Sequence, residues 1–383
     1  MSIRAKNGQR GFTMMEMVVA TALGTLVVGS AVQLYVQGVG ATWTVSQRAE
    51  MQQDFRAASN MLTKDLGLAG AGLGNGAAVQ LPTSSTIPVY GCAAVTGSPC
   101  YLPPGSSPAG AKYPEQGTTP YLYGLVTGYN AGPTLSGQAT DTVTVAYTDP
   151  SFYLNCYDAT ITGTTTVTFA LDSASPNCTA NGATIQAIND AAVGLTAGDL
   201  VLFTFGSTPV VAEVYGTAPT AATVTFAASD PLNMNQTSTA PKSLAYQSTQ
   251  TTKTGYGTRL LVVTYYIDNT VTPSRLMRQV SGHTPMPVAE SVAYMKFTYD
   301  LFNTTTNKPA VGCQNPGSAT DVCTSGSSSG LLPNQITKIN IQNMAMDSAV
   351  KGSLYGLAGG SQSIDLETSV SARNLTFTNN YPQ

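Results

Sequence analysis

The sequence predicts an α+β protein in which a long N-terminal helix, first apolar and then amphipathic, packs on a large antiparallel β-sheet domain. Three observations support this fold class. Residues 12–36 form an apolar run that contains one charge. Residues 47–66 carry apolar side chains at three- and four-residue spacing, the period of a helix face. From about residue 141 onward the apolar period becomes two, which is typical of strands.

Composition favours a folded domain rich in strands. The chain has 383 residues, enough for one large domain or two small ones. Apolar residues make up 42% of the chain, which excludes a disordered protein. Charged residues make up 10%, against about 25% in ordinary globular chains, so Ser, Thr, Asn, Gln and Gly must form most of the polar surface.

The N-terminus consists of a basic leader followed by a segment of membrane length. Residues 1–11 are polar and contain Arg4, Lys6 and Arg10 but no acid. As a helix, residues 12–36 would extend about 37 Å, enough to cross a bilayer. A conventional secretory signal has a shorter apolar region of about 7–15 residues. We therefore predict a transmembrane segment whose basic flank stays cytoplasmic.

The predicted helix continues to residue 67 as an amphipathic segment. Phe55, Ala58, Leu62 and Leu66 form its apolar stripe, which should pack on the following domain. The charged residues of this segment, Asp65 among them, are assigned mostly to its other faces. Closely spaced glycines after residue 66 end the helix.

Two regions follow the helix. Residues 68–140 are rich in Gly, Pro and Ser and are predicted to be a loop excursion. Residues 141–383 are predicted to be the β-rich globular domain, because period-two runs alternate with turn residues. The strand candidates are 142–147, 167–171, 199–205, 210–215, 222–226, 259–267, 295–301, 336–341 and 364–377.

The six cysteines fall into three pairs that are local in sequence. Local pairing predicts the disulfides Cys92–Cys100, Cys156–Cys178 and Cys313–Cys323, although six cysteines allow about 15 pairings. An even count in a chain of low charge favours an oxidising compartment. A metal site is the alternative. It has less support, since the sequence contains no C-x-x-C motif and its one histidine is distant from every cysteine.

The sequence argues against an enzyme, and we predict no catalytic residue, cofactor or metal. His283, the one histidine, lies in a Ser-Gly-His-Thr-Pro stretch typical of a turn. The glycines of residues 70–74 have the wrong spacing for a dinucleotide motif. Asp300, Asn303 and Asn307 carry oxygens that suit calcium, but they lack the spacing of a calcium loop.

Nucleic acid is not expected as the main partner. The formal net charge is −3, and loss of the leader would leave 14 basic and 20 acidic residues. No basic stripe follows the leader, so electrostatic support for binding phosphates is weak.

The hexad Gly11-Phe12-Thr13-Met14-Met15-Glu16 resembles the type III signal of prepilins, and its basic leader and apolar helix match as well. The resemblance implies a pilin-like fold and cleavage between Gly11 and Phe12 by a prepilin peptidase on the cytoplasmic face. It also implies N-methylation of Phe12 by the same enzyme. Glu16 would then meet the N-terminal amine of a neighbouring subunit and set the axial stagger of a filament. The alternative for Glu16 is a carboxylate that reaches the lipid headgroups.

The C-terminal third is similar to the PilW type of minor pilin, which is related to the J-type pseudopilin of type II secretion. The matching stretches are 275–278, 288–292, 297–301 and 368–375. This similarity implies a subunit at the filament tip that primes assembly with other minor and major pilins through the N-terminal helix. It also implies support for motility, adhesion or DNA uptake. The chain would cross the inner membrane once before assembly and then join an extracellular pilus, its globular domain being periplasmic or extracellular.

Two other functions remain open from the sequence. A J-type pseudopilin of a type II secretion system shares every signal described above. A membrane-anchored extracellular binding protein that never polymerises would keep the helix and the disulfides. It would not need Gly11, Phe12 or Glu16, so the state of the mature N-terminus separates it from a pilin.

Overall fold

The computed structural model describes residues 12–83, 88–90, 111–116, 118–135, 137–172, 178, 185–318, 320–347 and 363–375. The chain divides into two compact units. The described part of the first unit is residues 12–53, which are helical from Met14 onward. The second unit contains the described residues from Asp54 onward, namely the C-terminal end of the helix and the β-sheets. The predicted α+β class is confirmed.

Helix α1, Met14–Leu68, is 55 residues long and agrees closely with the predicted span of 12–67. In the second unit its apolar stripe is buried as predicted, with Phe55 6% exposed and Ala58, Leu62 and Leu66 fully buried. The assignment of Asp65 to a polar face was wrong. Asp65 is 4% exposed, because it lies three residues after Leu62 and therefore on the same helix face.

Residues 68–140 are not only loop. Within the described part of this stretch a 3₁₀ turn, Asn75–Ala77, is followed by eight short strands, so the prediction of a loop excursion was wrong for much of it. The strands are β1 Ala78–Gln80, β2 Val89–Tyr90, β3 Ala111–Lys112, β4 Glu115–Gln116, β5 Thr119–Tyr123, β6 Leu125–Gly128, β7 Thr134–Leu135 and β8 Gln138–Ala139. β1, β5 and β4 form a small sheet, β2 pairs with β3, and β7 pairs with β8. Strands of two to five residues carry too little periodicity to be recognised in a sequence.

The largest sheet has ten strands. Besides β6 it contains β9 Thr142–Thr148, β10 Tyr157–Ile161, β11 Thr166–Leu171, β12 Leu200–Phe205, β13 Thr208–Glu213, β14 Thr223–Thr225, β15 Thr254–Asp268, β16 Arg275–Val280 and β17 Met286–Glu290. Its order is β13-β12-β15-β10-β11-β14, and β9 and β16 also pair with β15. Every pair is antiparallel. β15 is the central strand of this sheet, because its 15 residues pair with four other strands.

Both faces of this sheet are covered around β12. Val201, Phe203 and Phe205 belong to one hydrophobic core, whereas Leu200 and Leu202 belong to another. Side chains of a strand alternate between its faces, so a strand covered on both sides is apolar at nearly every position. The run Leu-Val-Leu-Phe-Thr-Phe has this composition.

A second sheet contains the C-terminal strands. They are β18 Val292–Asn303, β19 Lys308–Cys313, β20 Ile336–Asp347 and β21 Ser363–Ser371, in the antiparallel order β19-β18-β20-β21. A one-turn helix, α2 Leu244–Gln247, and the 3₁₀ turns Leu154–Cys156 and Pro333–Gln335 complete the described elements. The predicted strand 364–377 ends earlier, at Ser371. β10, β16, β17 and β19 were not among the predicted strands.

Two of the locally spaced cysteine pairs are disulfides, Cys156–Cys178 and Cys313–Cys323. Cys92 and Cys100 lie outside the described residues, so their pairing stays a prediction. The two cysteines of each observed disulfide are close in sequence, with separations of 22 and 10 positions respectively.

The end of α1 is held on the large sheet by a buried polar cluster around Asp65. The Asp65 carboxylate accepts hydrogen bonds from the hydroxyl of Tyr147 on β9 at 2.9 Å and from the hydroxyl of Tyr265 on β15 at 2.7 Å. Nε of Arg278 on β16 donates to it at 2.9 Å. Burial, reinforced by the charge of Asp65, raises the pKa of both tyrosines, so their hydroxyls stay protonated and can donate. The cluster therefore ties one helix to three strands.

Replacement of Asp65 by Ala should destabilise the domain by about 3 kcal/mol. The change leaves the Arg278 charge and two buried hydroxyls without their acceptor. Denaturant unfolding of the detergent-solubilised full chain, followed by near-UV circular dichroism, measures the effect. Asp54→Ala is the matched control on the exposed side of the same helix and should cost about 0.5 kcal/mol or less. A loss below about 1 kcal/mol for Asp65→Ala would contradict a stabilising role for the cluster.

A second buried acid lies at the end of β13. Glu213 is 1% exposed, and its Oε2 accepts from the backbone N–H of Leu232 at 3.1 Å. Asp230, 2% exposed, accepts from the backbone N–H groups of Met234 and Asn235. Burial, followed by the hydrogen bond and charge of Asp230, raises the pKa of Glu213 to about 10. Glu213 therefore carries a proton at neutral pH.

Because Glu213 holds this proton in the folded state, the domain should lose stability as pH rises. The folded state holds the proton more tightly than the unfolded chain, in which a glutamate titrates near 4.3. The free energy of unfolding should therefore fall between about pH 5 and pH 10, by at most about 1.4 kcal/mol per pH unit. Glu213→Gln should flatten this decline, whereas Glu115→Gln, a change at an exposed glutamate, should not. Melting temperatures measured across pH would reject the proposal if wild type and Glu213→Gln ran parallel.

Candidate assembly site at the N-terminus

Phe12, Thr13 and Glu16 form the beginning of the described chain. Phe12 is 83% exposed and precedes the first helical residue by two positions. Gly11, the other residue of the predicted cleavage site, lies outside the described residues. Cleavage would therefore create an N-terminal amine on Phe12, two residues before α1 begins.

Glu16 and Thr13 form a capping box. The Glu16 carboxylate accepts from the backbone N–H and from the hydroxyl of Thr13, both at 3.0 Å. In return, the backbone N–H of Glu16 donates to the Thr13 hydroxyl at 3.4 Å. This exchange satisfies N–H groups that have no partner within a helix, and a negative charge in the first turn also suits the helix dipole. Glu16 thus acts on its own helix as well as being the predicted assembly residue.

Sequence reasoning missed the role of Thr13. The signal for it was present, because Thr followed three residues later by Glu before an apolar run is the pattern of a capping box.

The first unit presents a long apolar surface. The most apolar 18-residue stretch within Met14–Thr42 has a mean hydropathy of 1.8 and contains no buried residue. Among the described residues it is the one helix long and apolar enough to span a membrane. Its 29 residues correspond to about 43 Å of helix, more than the hydrocarbon core of a bilayer.

The serine and threonine hydroxyls of this segment are satisfied within the helix. Thr21, Thr25 and Ser30 donate to backbone carbonyls three residues earlier, at 2.8–3.0 Å, and Thr42 donates to the carbonyl of Gly38. Because lipid offers polar groups no hydrogen-bond partner, such internal bonds allow a helix with Ser and Thr to lie in hydrocarbon. The segment is therefore suited to a bilayer or to the interior of a polymer.

His283 belongs to a structural pair. Its Nε2 lies 2.9 Å from Oδ1 of Asp199, whose other oxygen accepts from the backbone N–H of Thr196. Ser281, two residues before His283, donates to the carbonyl of Leu260 and does not complete a nucleophile–histidine pair. This arrangement fixes the turn after β16.

The candidate calcium oxygens also have local roles. Oδ1 of Asp300 accepts from the backbone N–H of Gly312 and from the side-chain amide of Asn340. Oδ1 of Asn303 accepts from the backbone N–H groups of Thr305 and Thr306 within a turn. These oxygens are thereby committed to the backbone around β18 and β19.

One further group has the composition of a metal site. Cys313, Asp321 and Cys323 bring their ligand atoms within 4.8 Å of one another. The two sulfurs are joined as a disulfide, however, and disulfide sulfur is not the thiolate that binds metals. Asp321 accepts from the backbone N–H groups of Gln314 and Asn315 instead. The group stabilises the loop after β19.

Comparison with known proteins identifies the N-terminal segment. Residues 6–32 match the family described as prokaryotic N-terminal methylation motif. Searches of curated proteins and of solved structures gave no match to this chain. The matched stretch includes Gly11, Phe12 and Glu16. It supports a type IV pilin or pseudopilin that a prepilin peptidase processes and that assembles with other pilins.

The mature protein should begin at a methylated Phe12. Mass spectrometry of the N-terminal peptide, from cells that contain a prepilin peptidase, should find Phe12 carrying the mass of one added methyl group. Gly11→Val should retain the leader, because it places a bulkier side chain on the residue directly before the bond that the peptidase cuts. Gly8→Val, the same change three residues earlier, should be processed normally. Wild-type protein that keeps Met1 in such cells would contradict processing.

Proposed function

We propose that this chain is a minor pilin that is incorporated into a type IV pilus, near the tip, and primes pilus assembly. The observation that carries the proposal is a processing motif followed at once by an exposed apolar helix. The motif matches at residues 6–32, and α1 begins two residues after the proposed cleavage point. Before assembly the segment would cross the inner membrane, and afterwards it would lie in the core of the filament.

The charge pair at Glu16 gives this proposal a physical mechanism. A carboxylate is costly in hydrocarbon unless a positive charge neutralises it. Cleavage would free an amine on Phe12, and the amine of a neighbouring subunit could bind the exposed Glu16 carboxylate while Thr13 keeps its own contact. One such pair per subunit would fix the axial stagger.

Glycines on the apolar helix are compatible with close packing in a filament core. A Cβ atom added at Gly24, Gly29 or Gly38 would meet no atom within 4 Å, so these positions are open on the isolated chain. Small residues allow helices to approach closely when apolar surface alone gives no specificity. We infer that neighbouring helices would occupy these positions in the polymer.

The large β-domain favours a minor over a major subunit. Major pilins are typically much shorter than 383 residues. The stretches that resemble the PilW type overlap β16, β17, β18 and β21, so most of the resemblance falls on strands. A role in support of motility, adhesion or DNA uptake would follow from such a position. We also propose a non-enzymatic role, since His283 is engaged by Asp199 in a turn.

Complementation of a strain that lacks the protein tests the proposal. Loss of the protein should reduce surface piliation, and the wild-type chain should restore it. Glu16→Ala should lower the amount of this chain in sheared pili by about tenfold or more, because about 1.4 kcal/mol of lost pairing corresponds to a factor of ten. Glu50→Ala is the matched control, since Glu50 is exposed on the same helix and accepts a hydrogen bond from Ser46.

The same experiment separates the alternatives. Unchanged piliation together with lost protein secretion would indicate a J-type pseudopilin of a type II secretion system. Normal incorporation of Glu16→Ala would remove the proposed charge pairing. A processed chain never found in filaments would indicate a membrane-anchored binding protein.

A further inference from the structure

The β-domain contains a cleft that the assembly function does not use. It has a volume of about 400 Å³ and lies between the turns that flank β7 and β8 and the strands β18 and β20. Its main polar lining consists of two tyrosines and four side-chain amides: Tyr129, Tyr294, Asn130, Gln138, Gln314 and Gln342. The cleft thus combines aromatic rings with groups that both donate and accept hydrogen bonds.

The one cation in this lining is already neutralised. Nζ of Lys296 lies 2.6 Å from Oδ1 of Asp141, which is almost fully buried, and it also donates to the side chain of Asn130. The same ammonium lies 4.8 Å from the centre of the Tyr129 ring. Lys296 therefore holds Tyr129 and Asn130 in place and has little positive charge left to attract an anion.

The backbone is shaped to direct amides into the cleft. On β20, Asn343 pairs with Lys296 and Ile341 pairs with Phe297, so the residue between them, Gln342, is bulged out of the ladder with β18. Bulges re-aim a side chain and are frequent beside binding sites. On the opposite wall Asn130 adopts a left-handed backbone with φ of 53°, and its N–H donates to Asp141 at 2.8 Å.

A buried hydroxyl in the wall lacks a partner. Thr298 on β18 is 3% exposed, and its Oγ1 has no hydrogen bond within the described part of the chain. Such an unmet polar group is unfavourable. Thr298 is one of the residues that line the cleft, and its hydroxyl is covered by protein atoms.

We propose that this cleft binds a neutral saccharide. Side-chain amides pair with vicinal hydroxyls through a donor and an acceptor at once, and tyrosine rings cover the C–H face of a sugar. Anionic ligands are disfavoured because Asp141 neutralises Lys296. A purely apolar ligand is disfavoured because it would leave the side-chain amides of Gln138, Gln314 and Gln342 without partners. The inference depends only on the β-domain and is independent of the proposed role in assembly.

Binding of neutral oligosaccharides to the full-length chain tests the proposal. The protein is kept in a detergent without a sugar headgroup, and lactose, cellobiose, N-acetyllactosamine and mannobiose are screened by saturation-transfer NMR. Sialyllactose is the anionic probe, and a Gly/Ser-rich peptide represents extended polypeptide. At least one neutral saccharide should give signal transfer, followed by a measurable dissociation constant in calorimetry.

Matched variants locate the site. Tyr129→Ala and Gln342→Ala should each weaken binding by about tenfold, whereas Tyr129→Phe should retain it because the ring remains. Tyr215→Ala is the control, since Tyr215 is 38% exposed outside the cleft and Tyr129 is 37% exposed within it. Gln138→Ala, an exposed position, repeats the test should Tyr129→Ala unfold the domain, as judged by circular dichroism. The proposal is overturned by absence of neutral-sugar binding, by preference for sialyllactose or the peptide, or by equal binding in all variants.

Discussion

A single buried carboxylate determines how the helix joins the β-domain. Asp65 lies on the apolar face of α1 and accepts hydrogen bonds from two tyrosine hydroxyls and an arginine, which come from three neighbouring strands. Apolar contacts of Leu62 and Leu66 supply affinity but little specificity, since one aliphatic stripe fits many positions on a sheet. A buried charge is tolerated only where its donors meet it, so Asp65 allows one rotation and one height of the helix on the sheet.

The same helix meets two different physical requirements along its length. Up to Thr42 the helix is apolar and exposed. Its serine and threonine hydroxyls donate to its own backbone carbonyls, because the interior of a bilayer or polymer offers them no other hydrogen-bond partner. From Phe55 onward it has one buried stripe and polar residues elsewhere, as packing on a water-soluble domain requires. One hydropathy pattern therefore does not describe the whole helix. In the first half, burial would come from partners outside the chain, whereas in the second half the β-domain of the same chain covers the apolar stripe.

The sequence was informative where structure depends on local periodicity. The extent of α1, its stripe and most strands after residue 141 follow from spacing alone, and the capping box at Thr13 could have been read in the same way. The buried role of Asp65 could not, because its partners Tyr147, Tyr265 and Arg278 are 82 to 213 residues away. The short strands between residues 78 and 139 were missed because their pairing, rather than their pattern, defines them. The bulge at Gln342 likewise appears only in the register of β18 against β20.

Glu16 already has hydrogen-bond partners on the isolated chain. Its carboxylate accepts from two donors of Thr13, the backbone N–H and the hydroxyl. In the proposed filament the amine of another subunit would add an opposite charge to these contacts. Only the difference made by the new partner drives assembly, since the contact with Thr13 persists in both states. The capping box would therefore protect the monomer in the membrane without competing with polymerisation, and it orients the carboxylate toward the helix N-terminus, where the incoming amine has to bind.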